Sequence, residues 1–467
     1  MNYSILVNKE HLINDKVLSK IELVDYTDIL NNGIKVEKTT LDHYLMLKEF
    51  LHKKNIEIGI ESSYRSIEEQ QQTIDYYVEH YGTSYMKKYV APLYASEHHT
   101  GLAIDIAIKI NGEYKTELHG LKEQEEILSE IHKYLKDFGF ILRYPKDKES
   151  ITGYNYEAWH IRYVGKVISK IIYDNNLCLE EYLQNFGRIL VVNKPKGITS
   201  FDVIRKVSKL LGIKKIGHTG TLDPLATGVL VLTIGTYTKL SELLTALNKE
   251  YIATAKLNIL TDTLDSDGKI IKEDVKEISK DSLINALNHF KGTYLQEVPK
   301  YSAVKISGKK LYEYARKKQE IELPKREVTI ESIELLDYSG DTFSFKTSVS
   351  KGTYIRSLIR DIGEFLGSCA TMTELIRTRQ GNFKIEDAYS IENIENLEFK
   401  LLTIEDYLDI PVVEVQEEEF KKIKNGVQLD NIYGVKDKVI FKYNNEIIAI
   451  YKKINNLLKV DKMLYKM

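Results

Sequence analysis

At Gly187 the pattern of this chain begins again, and that restart limits its fold more than any other feature. Ahead of it, "LDHYLMLKEFLHKKNI" and "SIEEQQQTIDYYVEHYG" carry apolar residues at helical spacing. "IEIGIESSYRS", "GLAIDIAI" and "EAWHIRYV" alternate as strands, and "KEQEEILSEIHKYLKDFGF" predicts a long helix, so this part reads as an α+β unit ending near Leu183. Beyond it, "GRILVVNKPKGITSFDVIRKVSKLLG" opens a fresh series: a strand, a Lys-Pro-Lys-Gly turn, a capping Ser/Asp and a helix. "YIATAKLNI" and "KTSVSKGTYIRS" read as strands, the second running through to Arg356, and "LIRDIGEFLG" as a short amphipathic helix. The junction "CLEEYLQNFGRILVVNKP" has no Gly/Ser or Pro spacer, so the two patterns abut directly.

A chain of 467 residues accommodates about three domains at ~150 residues each. We place them at 1–185, 186–395 and 396–467, the last a small module of short strands, in an α+β multidomain protein. The net charge of −2 is a cancellation: Lys+Arg against Asp+Glu gives −7 for 1–186, +7 for 187–390 and −2 for 391–467. A basic middle between acidic flanks is the pattern of a polyanion-binding module joined to something else. Two cysteines in separate segments make no disulfide framework and no thiolate metal site. The sequence has no signal-peptide pattern and no apolar run near the ~18 residues of a membrane span, so the expected location is cytoplasmic.

Two short stretches carry the chemistry. In "SEHHTGLAID", His98 and Asp105 are separated by a Gly-containing loop and a strand that can turn both toward one point. In "EAWHIRYVG", alternation puts His160 and Arg162 on one face, with Glu157 three residues before His160. Three N/O ligands with an open position suit catalytic zinc, and Glu157 is placed to act as the base toward the attacking water. The absence of HExxH implies a geometry other than that of the helical metalloproteases. The second stretch, "GHTGTLDPLATG", surrounds one acid, Asp223, with Gly, Thr and small apolar residues. A phosphate-cradling P-loop is disfavoured, because GxxxxGK[ST] is missing.

Taken together, SxHxxGxAxD, the later ExxWH, "ILVNKEHLI" and "SSYRSIEEQ" resemble the D-alanyl-D-alanine carboxypeptidases of the VanY/VanX type (peptidase family M15), over residues 1 to about 184. The resemblance implies His98, Asp105 and His160 as zinc ligands and Glu157 as catalytic base. It implies Arg65 and Ser96 as residues that bind or polarise a D-Ala-terminated peptide. It leaves D,D- and L,D-carboxypeptidase activity both open.

From Gly187 onward, "ILVVNKPKGITSFDVIRKV", "KIGHTGTLDPLATGVLVLTIGTYTKL", "NKEYIATAKLNILTDTLDSDG", "YSAVKISGKKLYEYAR", "SKGTYIRSLIRDIG" and "LIRTRQGNF" resemble, in order, the motifs of the TruB family of tRNA pseudouridine synthases. That resemblance implies a central mixed-sheet catalytic domain, a small β-rich C-terminal module and a substrate in the T-arm stem-loop of tRNA. It implies isomerisation of uridine 55 to pseudouridine without metal or redox cofactor. Asp223 is then the nucleophile or base and Arg356 its ionic partner. Tyr251 is the ring stacked on the base, Tyr354 a second aromatic wall on the strand face of Arg356, Leu375 an apolar liner and His218 an RNA contact. Lys214, Lys215, Lys305, Lys309, Lys310, Arg316 and Lys317 could track phosphates. Two alternatives stay open here: an N-terminal half that only binds, or a chain merged from two adjacent genes.

Overall fold

The computed structural model describes residues 3–28, 33–115, 122–306, 308–317, 319, 321–444 and 446–465. The chain divides into two compact units, 1–186 with 209–214, and 187–208 with 215–467. No helix among the described residues is long and apolar enough to cross a membrane.

The first unit is built on an antiparallel sheet of β1 (Ile58–Ser62), β2 (Ala103–Ile110), β3 (Glu113–Lys115), β4 (Phe140–Tyr144) and β5 (Glu157–Tyr163), with path β1-β2-β5-β4 and β3 at the side of β2. Helices α1 (Lys38–His52), α2 (Ile67–Tyr81), α3 (Thr83–Tyr89) and α4 (Lys122–Leu135) accompany it. Ile58, Ile60, Ile104, Ile106, Ile108 and Ile161 form a buried core with Tyr44, Leu47 and Leu51 of α1 and Leu128 and Ile131 of α4. A reciprocal capping box, Ser66 with Glu69, starts α2, satisfying backbone donors that a helix start leaves open. A short helix, α5 (Leu179–Gln184), closes the unit.

The second unit carries a nine-stranded sheet among the described residues. Its strands are β6 (Gly187–Lys194), β7 (Ile216–His218), β8 (Thr227–Gly235), β9 (Lys249–Leu257), then, after the hairpin β10 (Ile259–Thr261) and β11 (Ile270–Glu273), β12 (Gly292–Glu297), β13 (Lys325–Tyr338), β14 (Thr342–Val349), β15 (Ala370–Gln380) and β16 (Phe383–Lys384). The path is β12-β13-β14-β9-β15-β8-β6, with β7 on β8 and β16 on β15. It is mixed, because β8 and β15 run parallel while the other pairs are antiparallel. At that parallel pairing a Cβ on Gly228 would lie 2.3 Å from the Arg377 carbonyl oxygen, and Gly228 has φ +99°. Only glycine fits both demands.

The sequence pattern runs "KTSVSKGTYIRS" on as one strand, and the structure corrects this. β14 stops at Val349, the chain turns through Gly352 at φ +84°, and α6 (Ile355–Phe365) begins with Tyr354 as its N-cap. The apolar residues Ile355, Leu358, Ile359 and Ile362 recur at helical spacing and are buried. That face draws Arg356 into the first helical turn. Tyr354 and Arg356 therefore share no strand face.

Residues 412–463 form a second sheet, β17 (Val412–Glu414), β18 (Leu429–Asp430), β19 (Lys438–Tyr443), β20 (Glu446–Ile454) and β21 (Leu457–Met463), in the order β17-β19-β20-β21-β18. Ile404, Ile440, Ile450 and Leu464 join Ile189, Val191, Val229 and Val231 in one buried cluster, so this sheet packs on the β6/β8 end of the larger one. The acidic run "EVQEEEF" finds its reason in α7 (Glu417–Lys424): Glu417, Glu418 and Glu419 occupy the first turn, and Lys421 and Lys422 pair with Glu417 and Glu418 at 2.9 Å. Acids at a helix start are favoured by the backbone dipoles.

Candidate active sites

In the second unit the Asp223 loop is held from several sides. Leu222 donates its backbone N–H to Ser200 Oγ at 2.9 Å, and Ser200 Oγ donates to the Leu222 carbonyl at 3.1 Å. Arg377 Nη2 donates to the Gly220 carbonyl at 3.0 Å, and Gln380 Nε2 to Thr219 Oγ1 at 2.7 Å. Buried Lys194 donates to the Pro195 and Ile198 carbonyls at 2.9 and 2.8 Å, and burial pushes its amine down to about 8.

This loop forms one wall of a cavity of about 240 Å³, which Asp223, Tyr251, Tyr354, Arg356, Leu375 and Arg377 all line. Arg356 Nη2 lies 3.0 Å from Asp223 Oδ2, with the guanidinium buried and the carboxylate partly open. The same guanidinium donates to the carbonyls of Thr263 and Tyr301 at 2.9 and 3.1 Å, and its Nη1 is 3.5 Å from Asp265 Oδ2. A fork engaged on both edges in this way has little freedom to swing. Tyr251 is 8% exposed on β9, where the register against β15 shifts at Glu250/Tyr251; irregularities of this kind re-aim side chains beside sites. Burial raises the Tyr354 phenol above its ordinary value. His218 is absent from the cavity wall: at the end of β7 its Nδ1 accepts from Gly220 N–H at 3.3 Å.

Asp265 is the acid that sequence reasoning misses. In "TLDSDG" it looks like turn chemistry, and it does accept from Thr263 Oγ1 at 2.6 Å and Asp267 N–H at 3.2 Å. It is also buried, and desolvation raises its carboxyl above the usual value. Of the proposed phosphate-tracking cations, Lys214, Lys215, Lys305, Lys309, Arg316 and Lys317 are exposed and Lys310 is half-buried.

In the first unit a second cavity, about 200 Å³, is lined by Arg65, Ser96, His98, Asp105, Glu157 and His160. Register makes the meeting: Asp105 on β2 stands directly opposite His160 on β5. One ligand atom from each of His98, Asp105 and His160 lies within 4.8 Å of the others. His98 Nε2 is 3.2 Å from Asp105 Oδ2, and His160 Nδ1 is 3.0 Å from Asp105 Oδ1. That last oxygen is buried yet has no aligned hydrogen-bond donor. His98 Nδ1 is turned to the Ser63 carbonyl at 2.6 Å, which leaves Nε2 as the free lone pair. Two imidazoles and one carboxylate converging on a point, with an orphaned oxygen among them, fit a catalytic zinc ion. Glu157 Oε2 is 3.7 Å from His160 Nδ1, and burial pushes its carboxyl up to about 7.

Glu97 escapes sequence reasoning because its partners are remote along the chain. Its Oε1 receives Arg143 Nε at 2.7 Å and Arg162 Nη1 at 2.6 Å, all three side chains fully buried. Burial opposes its ionisation, but the two guanidiniums outweigh it and hold the carboxyl well below the usual range. Its other oxygen lies 3.8 Å from His160 Nε2, behind the ligand. Arg143 is in turn gripped by both oxygens of Glu180 on α5, at 2.9 and 2.7 Å. Arg65 donates to Gln70 and to Ser62 at 3.2 and 3.3 Å, which fixes its head at the cavity wall.

Comparison with known proteins bears on both units. Residues 208–355 match the model of the TruB family pseudouridylate synthase N-terminal domain, and 356–414 that of the tRNA pseudouridylate synthase B C-terminal domain. Residues 33–166 match the D-alanyl-D-alanine carboxypeptidase (VanY) model. The chain is 48% identical over 281 residues to tRNA pseudouridine synthase B of Fusobacterium nucleatum, covering 58% of this chain and 97% of that protein. It is 44% identical over 270 residues to the enzyme of the same name from Clostridium tetani, covering 56% and 91%. Among solved structures, the LdcB LD-carboxypeptidase is 36% identical, covering 38% of this chain and 83% of that one, at TM-score 0.34. The vancomycin resistance D,D-pentapeptidase VanY, solved with Zn(II), is 31% identical, covering 39% and 99%, also at TM-score 0.34. The chain belongs to the TruB family of tRNA pseudouridine synthases and carries, ahead of that part, a domain of the VanY-type D-alanyl-D-alanine carboxypeptidase family.

Proposed function

We propose that the second unit converts uridine 55 in the T-arm of tRNA to pseudouridine and that Asp223 starts the reaction. The observation that carries this reading is the Asp223–Arg356 pair at 3.0 Å in a cavity walled by Tyr251 and Tyr354. The guanidinium favours the ionised, oriented carboxylate. A base in an RNA loop can splay outward, and extrusion at a few kcal/mol is offset by stacking in the pocket. Asp223 then acts as nucleophile or base while the C1′–N1 bond breaks and the new bond forms at C5. Tyr251 stacks on the uracil, and the C5 proton leaves beside it. The synthase reaction uses no metal or redox cofactor. Complementation of a synthase-deficient strain with wild type and Asp223→Ala, followed by pseudouridine mapping, tests the reading; unchanged modification at position 55 in the mutant would overturn it.

The first unit, in the same proposal, removes the terminal residue of D-Ala-ended peptides of the peptidoglycan type. The His98/Asp105/His160 convergence and the family match support it. These three residues would hold Zn²⁺, which when bound supplies a Lewis acid and acidified water. Glu157, poised near neutrality by burial, takes the proton from the attacking water and passes it to the leaving amine. Arg65 faces the developing oxyanion charge and Ser96 hydrogen-bonds the peptide. Release of D-alanine from an acyl-D-Ala-D-Ala peptide, lost in Glu157→Ala, is the assay.

A further inference from the structure

Helix α6 presents Arg356 to Asp223 from a start that its own residues do little to secure. Tyr354, the N-cap, makes no side-chain cap hydrogen bond, where Ser, Thr, Asp or Asn would bind a free N–H of the first turn. A cation in that turn also opposes the positive end of the backbone dipoles. Strand β12 supplies the missing anchors. Gln296 Oε1 accepts the Tyr354 N–H at 2.7 Å, and Gln296 Nε2 donates to the Tyr354 carbonyl at 3.1 Å. The second amide hydrogen goes to the Tyr294 hydroxyl at 2.6 Å, and that hydroxyl donates to Asp361 Oδ2 at 3.2 Å, two turns further along α6. A backbone N–H only donates and a carbonyl only accepts, so these partners allow one orientation of the amide. The next strand residue continues the series: the Glu297 carbonyl accepts from Ser357 Oγ at 2.8 Å. Arg356 therefore lies between two residues tied to β12.

We infer that Gln296 is a positioning residue of the synthase, its amide setting Tyr354 and Arg356 where the guanidinium meets Asp223. Gln296 is 1% exposed and is not a wall of the cavity, so it acts through the backbone it grips and not on the RNA. β14 ends at Val349, five residues before Tyr354. Past that end the side-chain amide does what a neighbouring strand would do, offering one donor and one acceptor to the same residue. Methionine has similar length without either function, and asparagine has both functions one methylene short of their partners.

This inference rests on the synthase reading, and the experiment separates the two. Gln296→Met and Gln296→Asn are compared with wild type in single-turnover pseudouridine formation, in tRNA binding and in urea unfolding, all on the full chain. Gln296→Met should lower the rate about 10²-fold and Gln296→Asn about tenfold, since a small misplacement of a reacting group suffices for that, while tRNA affinity holds. Either variant decides alone, so the failure of one to fold leaves the test intact. In an Arg356→Lys background Gln296→Met should cost less than about threefold, because the group it positions is already lost. A wild-type rate in either variant, a loss that appears as weaker tRNA binding, or equal losses with and without Arg356→Lys would overturn the inference. If wild type forms no pseudouridine, the synthase reading fails, and hydrogen exchange over residues 350–357 still decides the positioning. Faster exchange there in Gln296→Met supports it, and unchanged exchange overturns it.

Discussion

Arg356 reaches Asp223 from the first turn of a helix, 3.0 Å from guanidinium to carboxylate, while its other edge faces Asp265 at 3.5 Å. One buried cation thus serves two acids of different duty, one open to the cavity and one enclosed.

Replacing Asp223 by Asn should leave the fold intact and reduce pseudouridine formation by more than about 10³-fold. Tritium release from tRNA labelled at uridine C5 measures this, alongside tRNA binding, which should hold.

Arg356→Lys keeps the charge but removes the fork that meets Asp223, Asp265 and two carbonyls. We expect a fall of ~10²–10³-fold in turnover. Arg356→Ala strands Asp265 in the interior and should lower stability by ~3–5 kcal/mol, read from urea midpoints.

Because burial raises the Asp265 carboxyl, the folded chain holds that proton at a pH where the unfolded chain has released it. The group's contribution to stability is therefore fully present below the ordinary aspartate value and declines as pH rises through the elevated one. The stability of wild type relative to Asp265→Asn should fall on going from pH 4 to pH 7. Denaturant titrations across that range check the sign, and a rise would contradict it.

Zinc content, measured by mass spectrometry on the purified full chain, should be one equivalent in wild type and near zero in His98→Ala, Asp105→Asn or His160→Ala. Glu97→Gln should weaken zinc affinity by about 10–100-fold through His160. Chelation should not reduce pseudouridine formation.

Charge reversal is not required to test the RNA face. Neutralising exposed Lys305 or Lys309 by glutamine should weaken tRNA binding. The slope of log affinity against log salt should drop by about one for each phosphate that the variant leaves unneutralised.

Residues within a few positions of each other are legible in the sequence. His98 and Asp105 announce themselves because loop and strand lie in one short stretch, and Asp223 because it is the single acid in a stretch of Gly, Thr and apolar residues. What fails to show depends on remote partners. Glu97 pairs with Arg143 and Arg162, which lie 46 and 65 positions away along the chain, and nothing local joins either of them to it. Asp265 satisfies its own turn so well that its second allegiance, to Arg356, is invisible locally. Arg356 reads as a strand residue because alternation over a few positions competes with a longer helical period that begins inside it. The C-terminal sheet is foreseen as strands, but its share in the core with Ile189 and Val229 emerges only in three dimensions.

The pairing of Asp105 with His160 across β2 and β5 has a consequence for how this unit checks itself. Sliding one strand by a single residue would swing His160 into the greasy interior and bring Trp159 or Ile161 to face the acid. An ion held by His98, Asp105 and His160 would therefore add cohesion only to the correctly aligned molecule, since a misaligned one would not bring the three ligands together.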